Sequence, residues 1–227
     1  MTGNAVQRLA AGASLLRAAL ADRLFPRPVE SVAGLAAFVG TRAAYVAQTA
    51  LYGYLKTRMG TRFPEYFEDP EFSAAIRDAA VRVFGSCAGD LTLYAVALTG
   101  ADGRLDAAAC AALARRVFPE AVVAGGAGSP ATGLVAALAV RADGVLWANA
   151  LHGMTIFAAS AEDVIRFAPV TDAFKALDHD IVRNSVRFRW LNVREQLGRR
   201  LDPAAVCADW RSLAGPRNAL ASGREAT

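Results

Sequence analysis

Cysteine, histidine and lysine are all scarce in this sequence. Its 227 residues include three Cys and two His, and a count gives two Lys against 23 Arg. So few cysteines exclude a disulfide scaffold, and their positions, 87, 110 and 207, lack the spacing of a zinc-binding pair. We therefore predict reduced thiols, no metal site and no cofactor. The 51 alanines and the arginine excess are typical of a bacterial protein from a GC-rich genome.

Long uninterrupted apolar runs are missing as well. Arg8, Arg17 and Asp22 interrupt the apolar N-terminal segment, which argues against a cleavable signal peptide. The longest uncharged stretches, 121–140 and 144–161, are interrupted by glycine, proline, asparagine or histidine. Neither has the roughly 20 large apolar residues of a spanning helix. We predict a cytoplasmic protein, lying at the inner-membrane surface if its basic helices bind there.

Positive charge is concentrated near the two ends of the chain. The net charge is +4, and residues 1–27 hold four Arg and one Asp, while residues 183–200 hold six Arg and one Glu. Residues 28–182 carry an acidic excess. This distribution favours a protein partner or an anionic membrane surface. We predict no nucleic-acid partner, because that would require a stronger basic excess and a recognisable reading helix.

Helical periodicity runs through almost the whole sequence. Apolar residues recur at three- and four-residue steps, and no segment alternates as a strand would. We predict an all-α single domain, with an amphipathic basic helix over 1–27, a helical core over 28–213 and a disordered tail over 214–227. The apolar stripe of the first helix is Val6, Leu9, Ala13, Leu16, Leu20 and Leu24.

Cap residues and breakers predict the helix boundaries. The predicted N-caps are Ser31, Asp69, Asp106, Thr171 and Asp202, with a capping box at 160–163. Helix ends are predicted near Gly60, Thr99, Pro119, Leu151 and Arg200. The segment 121–133, which is rich in glycine, is predicted to be a mobile loop.

One helix carries an unusual strip of cations and tyrosines. Arg42, Tyr45, Tyr52 and Lys56 lie on neighbouring sides of the helix predicted after Ser31. Such a strip can hold an anion, stack a planar ligand or bind an acidic partner. The alternative is a second packing face whose tyrosines bond to backbone.

The long helix predicted from Thr171 has two apolar stripes. One contains Phe174, Leu177, Ile181 and Phe188, and the other contains Val182, Val186, Trp190, Val193 and Leu197. We therefore predict a central helix that is contacted from two sides. Arg183, Arg187 and Arg194 form a ridge beside the second stripe. If this ridge is buried it requires a carboxylate partner, for which Asp90 is the candidate; if exposed, it is an anion-binding surface.

A hydrolase alternative rests on Cys87. The segment Gly85–Gly89 has the outline of a nucleophile elbow with cysteine in place of serine, and His152 is the candidate base. However, Cys87 falls within the apolar stripe of a predicted helix, which favours a core cysteine. Gly85 and Gly89 then provide a surface where another helix approaches closely.

The run TRAAYVAQTALYGYLKTRMGTRFPEYFEDPEF, residues 41–72, resembles a family of small alphaproteobacterial proteins that carry the label "esterase". The resemblance extends over residues 24–95. Its matched residues are the tyrosine and arginine strip and the loop after it, and the serine-hydrolase motif Gly-x-Ser-x-Gly does not occur in the sequence. The resemblance implies family membership and leaves the activity open.

Three functional hypotheses follow. The leading one is a non-enzymatic protein that binds a protein partner or a membrane surface. The second is an acyl-ester hydrolase with Cys87 as nucleophile and His152 as base. The third is a sensor that holds a small anionic or planar ligand between Tyr45, Tyr52 and Arg187. The sequence does not define the oligomeric state.

Overall fold

The computed structural model describes residues 27–221, with side chains to residue 213. Seven α-helices fill this range: α1 (Val32–Met59), α2 (Pro70–Gly100), α3 (Ala107–Ala124), α4 (Thr132–Asp143), α5 (Ala158–Phe167), α6 (Asp172–Arg200) and α7 (Pro203–Ala221). Short 3-10 turns lie in the connections at 60–62, 65–68, 101–103, 147–149 and 155–157. The protein is an all-α single domain, as predicted from the periodicity.

Four of the predicted N-caps form their side-chain hydrogen bonds. Ser31 accepts from the Gly34 amide at 3.1 Å, and Asp69 accepts from the Glu71 amide at 2.9 Å. Asp106 and Asp202 accept from amides three residues on, at 2.7 and 3.0 Å. Thr171 precedes α6 in extended backbone without a side-chain cap bond. These caps satisfy amides that the first turn of a helix leaves without partners.

Other predicted boundaries are wrong. α3 continues past Pro119 to Ala124, so the proline lies inside the helix. The helix predicted to reach Leu151 ends at Asp143. The predicted capping box is not formed, because Ser160 lies inside α5 and its hydroxyl donates to the Phe157 carbonyl at 3.2 Å.

The two ends of the chain are described only in part. The predicted amphipathic helix lies outside the described residues except for Arg27. The predicted tail overlaps the end of α7, and residues 222–227 lie outside the described range. At the described start, the Val29 amide donates to the Arg200 carbonyl at 2.8 Å, and the Asp202 amide donates to the Val29 carbonyl at 2.9 Å. Val29 therefore lies beside the C-terminal end of α6.

The core lies between α1, α2 and α3, while α5 packs on another side of α2 and α6 packs on α5 and α1. α2 is the most buried element, and the segment 70–103 is long and apolar enough to cross a membrane by length and composition. In the fold, 78% of its apolar window is buried inside the domain. This is the pattern of a central core helix.

α1 and α3 approach each other at glycine. A Cβ on Gly40 would lie 2.2 Å from the Ala121 carbonyl oxygen, which is a backbone atom. Gly40 therefore permits the crossing, and α1 continues through this position without a break. The predicted mobile loop is shorter than expected, since residues 121–124 belong to α3.

Candidate functional site

α6 exposes a row of large apolar side chains to solvent. The exposed fractions are 45% for Phe174, 73% for Leu177, 72% for Ile181, 76% for Phe188 and 50% for Leu191. We call these five residues the outer face. Single exposed apolar residues are ordinary, whereas a contiguous row of this kind marks an interaction site.

The outer face lies on the side of α6 that points away from the core. The buried stripe of α6, centred on Val182, Val186 and Trp190, is about 160° away around the helix at 100° per residue. The sequence predicted that both stripes would be contacted within the domain. That prediction is wrong for the first stripe, because only the second one is buried.

The spacing of the outer face is that of a coiled-coil seam. Phe174, Ile181 and Phe188 are seven residues apart, and Leu177 and Leu191 occupy the alternate positions of the same heptads. Asn184, which is exposed, fills the remaining alternate position. A strict two-in-seven stripe is narrower than the face by which a helix packs on a globular core.

Charged residues flank the outer face. The side chain of Asp180 is 75% exposed and accepts from Arg183 at 2.9 Å. Arg187 lies one heptad after Asp180 on the same flank. Its Nε is buried without a hydrogen-bond partner among the described residues. Thus one of the predicted site residues, Arg187, borders this surface, whereas Arg183 lies about 140° from its centre around the helix, beside the buried stripe.

The prediction that Asp90 pairs with the arginine ridge is wrong. Asp90 is fully buried, and its carboxylate pairs with Arg141 from α4. The same carboxylate accepts from the Ser160 amide at 2.7 Å. Arg194, which belongs to the ridge, donates to the Gly153 carbonyl at 3.1 Å. Its guanidinium lies 5.0 Å from the centre of the Tyr94 ring.

The two glycines of the predicted elbow, Gly85 and Gly89, leave room for side chains of α4. A Cβ on Gly89 would lie 2.9 Å from an Arg141 guanidinium nitrogen, and a Cβ on Gly85 would lie 2.8 Å from Leu134. The glycines therefore admit α4, in agreement with the close helix approach predicted from the sequence. Burial raises the pKa of Asp90, while the Arg141 guanidinium opposes that rise.

A second ion pair fixes the start of the outer face. Arg58 on α1 forms a two-point contact with Asp178, and its guanidinium lies 4.7 Å from the centre of the Phe174 ring. The hydrogen bonds from Arg58 lower the pKa of Asp178. This pair joins α6 to α1 and covers part of Phe174, which explains why it is the least exposed member of the outer face.

The tyrosine strip of α1 lies on a different surface. Tyr45 and Lys56 are exposed, and Tyr52 stacks on Phe67 with ring centroids 6.4 Å apart. The guanidinium of Arg42 lies 5.7 Å from the centre of the Phe38 ring. Phe67, which sequence reasoning did not single out, belongs to the loop after α1.

Arg187 is not brought to this strip. At the level of this strip, Arg189 of α6 reaches α1 and donates to the Thr49 carbonyl at 3.4 Å. Two residues along a helix differ by about 200°, so Arg187 points to the other side of α6. The structure therefore does not bring together the predicted tyrosine–arginine ligand site.

Cys87 lies in the interior of α2 with no exposed surface. Burial raises the pKa of its thiol well above the usual range, which keeps it protonated at neutral pH. In the described part of the chain no histidine hydrogen-bonds to it. A thiol nucleophile must be ionised and reachable, and Cys87 is neither.

His152 lies at a separate cavity of about 760 Å³ between the end of α2, the start of α3 and the 145–152 segment. Cys110 lines the same cavity, but burial raises the pKa of its thiol to about 11. The charged residue in the lining is Asp102. A carboxylate in an otherwise largely apolar wall disfavours an anionic ligand.

We expect all three cysteines to react slowly in the native protein. Each side chain is buried, and burial raises the pKa of each thiol. A chromogenic disulfide reagent at neutral pH is predicted to label three thiols only after urea is added. If one native thiol is labelled quickly, and this fast labelling is absent in Cys87→Ala, the result would contradict this prediction and support the hydrolase hypothesis.

The chain matches no protein-family model, no curated protein and no solved structure. The resemblance to the proteins labelled "esterase" therefore stays a prediction. Over the range that the structure describes, no group of three or more His, Cys, Asp or Glu residues is placed to hold a metal ion.

Proposed function

We propose that this chain is a non-enzymatic protein that acts by binding another protein helix along the outer face of α6. The observation that carries the proposal is the row of five exposed apolar residues at heptad spacing on an otherwise charged helix. The partner that fits is an amphipathic helix whose own apolar residues repeat at the same spacing. Knobs of one helix then fill the holes of the other.

The width of the outer face favours a helix over a lipid surface. A helix that lies in a membrane interface presents a broad apolar side, whereas polar residues lie within and next to this face. Asn184 is in the row itself, and Asp180, Ser185 and Asn192 border it. The three bordering side chains remain hydrated at the edge of a helix pair, whereas all four polar side chains would be forced against lipid in a membrane.

The experiment is a photo-crosslink in cells that produce the protein at its natural level. A crosslinking amino acid replaces Leu177 on the outer face or, as the matched control, Val140 on α4. Their exposed fractions are nearly equal, at 73% and 74%. We expect a discrete protein adduct from position 177 and none from position 140.

The adduct identifies the kind of contact. Mass-spectrometric mapping is expected to place the linked residues on one side of a helix with heptad-spaced apolar residues. No adduct at 177, adducts of lipid alone, or equal adducts from both positions would overturn the proposal.

A further inference from the structure

The outer face of α6 is complementary to itself in the antiparallel direction. A two-fold axis placed between residues 182 and 183 relates the ends of the row. Phe174 then faces Leu191 of the second copy, Leu177 faces Phe188, and Ile181 faces Asn184 in the layers beside the axis. Each large aromatic side chain thus meets a leucine, which fills a seam evenly.

The same axis pairs the flanking charges. In an antiparallel helix pair, Asp180 of one copy lies beside Arg187 of the other, and symmetry forms this pair twice. The side chain of Asp180 is 75% exposed beside its contact with Arg183, and Arg187 forms no ion pair among the described residues. A parallel pair would instead bring Asp180 near Ser185 and Arg187 near Asn192, with no opposite charges opposed.

Asn184 lies beside the axis, in the same layer as Ile181 of the second copy. Its position near the axis places the two Asn184 side chains about 4.5 Å apart along the helix axes, at 1.5 Å per residue. Amides at that separation are within reach of each other. A single polar residue in an apolar seam fixes the register at some cost in affinity.

From the aromatic–leucine layers and the two charge pairs we infer that the helix bound by the outer face is α6 of a second copy of this chain, in antiparallel orientation. The inference rests on the proposed function and names its partner. The Arg58–Asp178 pair and the buried stripe of α6 remain in place, because the outer face points away from the core, and Asp180 then lies between Arg183 of its own chain and Arg187 of the second copy. An isologous dimer of this kind uses the same patch on both subunits.

The chain contains another segment with heptad-spaced apolar residues, the N-terminal stretch that holds Leu9 and Leu16. Its charge argues against it as the occupant, because residues 1–27 and residues 183–200 both carry an arginine excess. Like charges along both edges of a helix pair oppose association. Binding of that stretch is therefore an outcome that the test must detect.

Charge reversal tests the pairing. Asp180→Arg alone and Arg187→Asp alone each place like charges opposite one another twice. Each is expected to weaken the dimer about tenfold, as measured by sedimentation equilibrium. The double variant restores opposite charges and is expected to return to within about threefold of the natural chain. A double variant that dimerises more weakly than either single variant would overturn the antiparallel pairing.

Cysteine pairing tests the orientation directly. Because the native cysteines are buried, only the cysteine added on α6 is accessible for disulfide formation. A mixture of Leu177→Cys and Phe188→Cys proteins is expected to form a disulfide dimer on mild oxidation, whereas either variant by itself is not. Strong crosslinking of each variant with itself, or none in the mixture, would overturn the inference.

Two further outcomes separate this inference from the proposed function. A natural chain that is monomeric at 100 µM, yet gives an adduct with a different protein at position 177 in cells, would overturn the second copy and keep the helix-binding function. A natural chain that is monomeric, but dimerises once residues 1–26 are removed, would assign the outer face to that segment and overturn the inference.

Discussion

Replacing Trp190 by alanine is expected to lower the free energy of unfolding by about 3–5 kcal/mol. Trp190 is fully buried at the centre of α6, and its ring stacks on Phe157 with centroids 4.8 Å apart. Its indole N–H donates to the Ser160 hydroxyl at 3.0 Å. The alanine variant loses this packing and hydrogen bond and leaves a cavity. Urea unfolding followed by circular dichroism measures the change.

The matched control is Phe188→Ala, two residues before Trp190 on the opposite side of the same helix. Phe188 is 76% exposed, so its replacement is expected to change the free energy of unfolding by at most about 0.5 kcal/mol when the protein is monomeric. Trp190→Phe keeps the ring contact, loses the hydrogen bond and should cost about 1 kcal/mol. Equal losses in Trp190→Ala and Phe188→Ala would contradict the assignment of the two sides of α6.

Replacing Arg141 by methionine is expected to lower the free energy of unfolding by about 3–5 kcal/mol at neutral pH. The substitution leaves the Asp90 carboxylate buried and without its cation, although the Ser160 amide still donates to it. Breaking a buried pair from one side is costly because the remaining charge cannot reach water. The side chain of Arg141 is itself 34% exposed, which makes the low end of that range the better expectation.

The loss in Arg141→Met should depend on pH with a defined sign. Burial raises the pKa of Asp90 in the folded state, and removing the guanidinium raises it further, whereas the unfolded chain keeps an ordinary value near 4. The protonated form is therefore favoured by folding. Stability is retained below the unfolded pKa and is lost as the pH rises through the folded pKa.

Urea unfolding at pH 4.5 and pH 7.5 checks this dependence. We expect the difference from the natural chain to be smaller at pH 4.5, and Asp90→Asn in the same chain to recover at least half of the loss at pH 7.5. The asparagine carbonyl still accepts from the Ser160 amide but carries no charge. A loss that is the same at both pH values, or a double variant no more stable than Arg141→Met, would contradict this account.

Local sequence rules predicted much of the helical framework. Ser31, Asp69, Asp106 and Asp202 are short-range signals, because a cap bonds to amides two or three residues away. Pro119 shows the limit of such rules: it lies in the second half of α3, where tertiary contacts of the helix outweigh one lost backbone hydrogen bond.

The sequence predicted the apolar stripes of α6 that include the candidate site, but not which stripe is exposed. Both apolar stripes of α6 have helical spacing, and which of them is buried depends on where α1, α2 and α5 lie. The partner of Asp90 could not be deduced either, since Arg141 is 51 residues away in sequence. Gly85 and Gly89 did indicate that another helix packs closely against this part of α2. They did not indicate that this helix, α4, carries the cation that pairs with Asp90.

The most direct test of the central claim is sedimentation velocity of the full-length chain beside two single variants over a range of concentrations. Ile181→Glu places a charge in the outer face, and Val140→Glu places the same charge at an equally exposed apolar position on α4. We predict that the natural chain and Val140→Glu shift from monomer to dimer as concentration rises, while Ile181→Glu stays monomeric with an unchanged far-ultraviolet circular dichroism spectrum. Identical sedimentation of all three proteins at every concentration would contradict the claim.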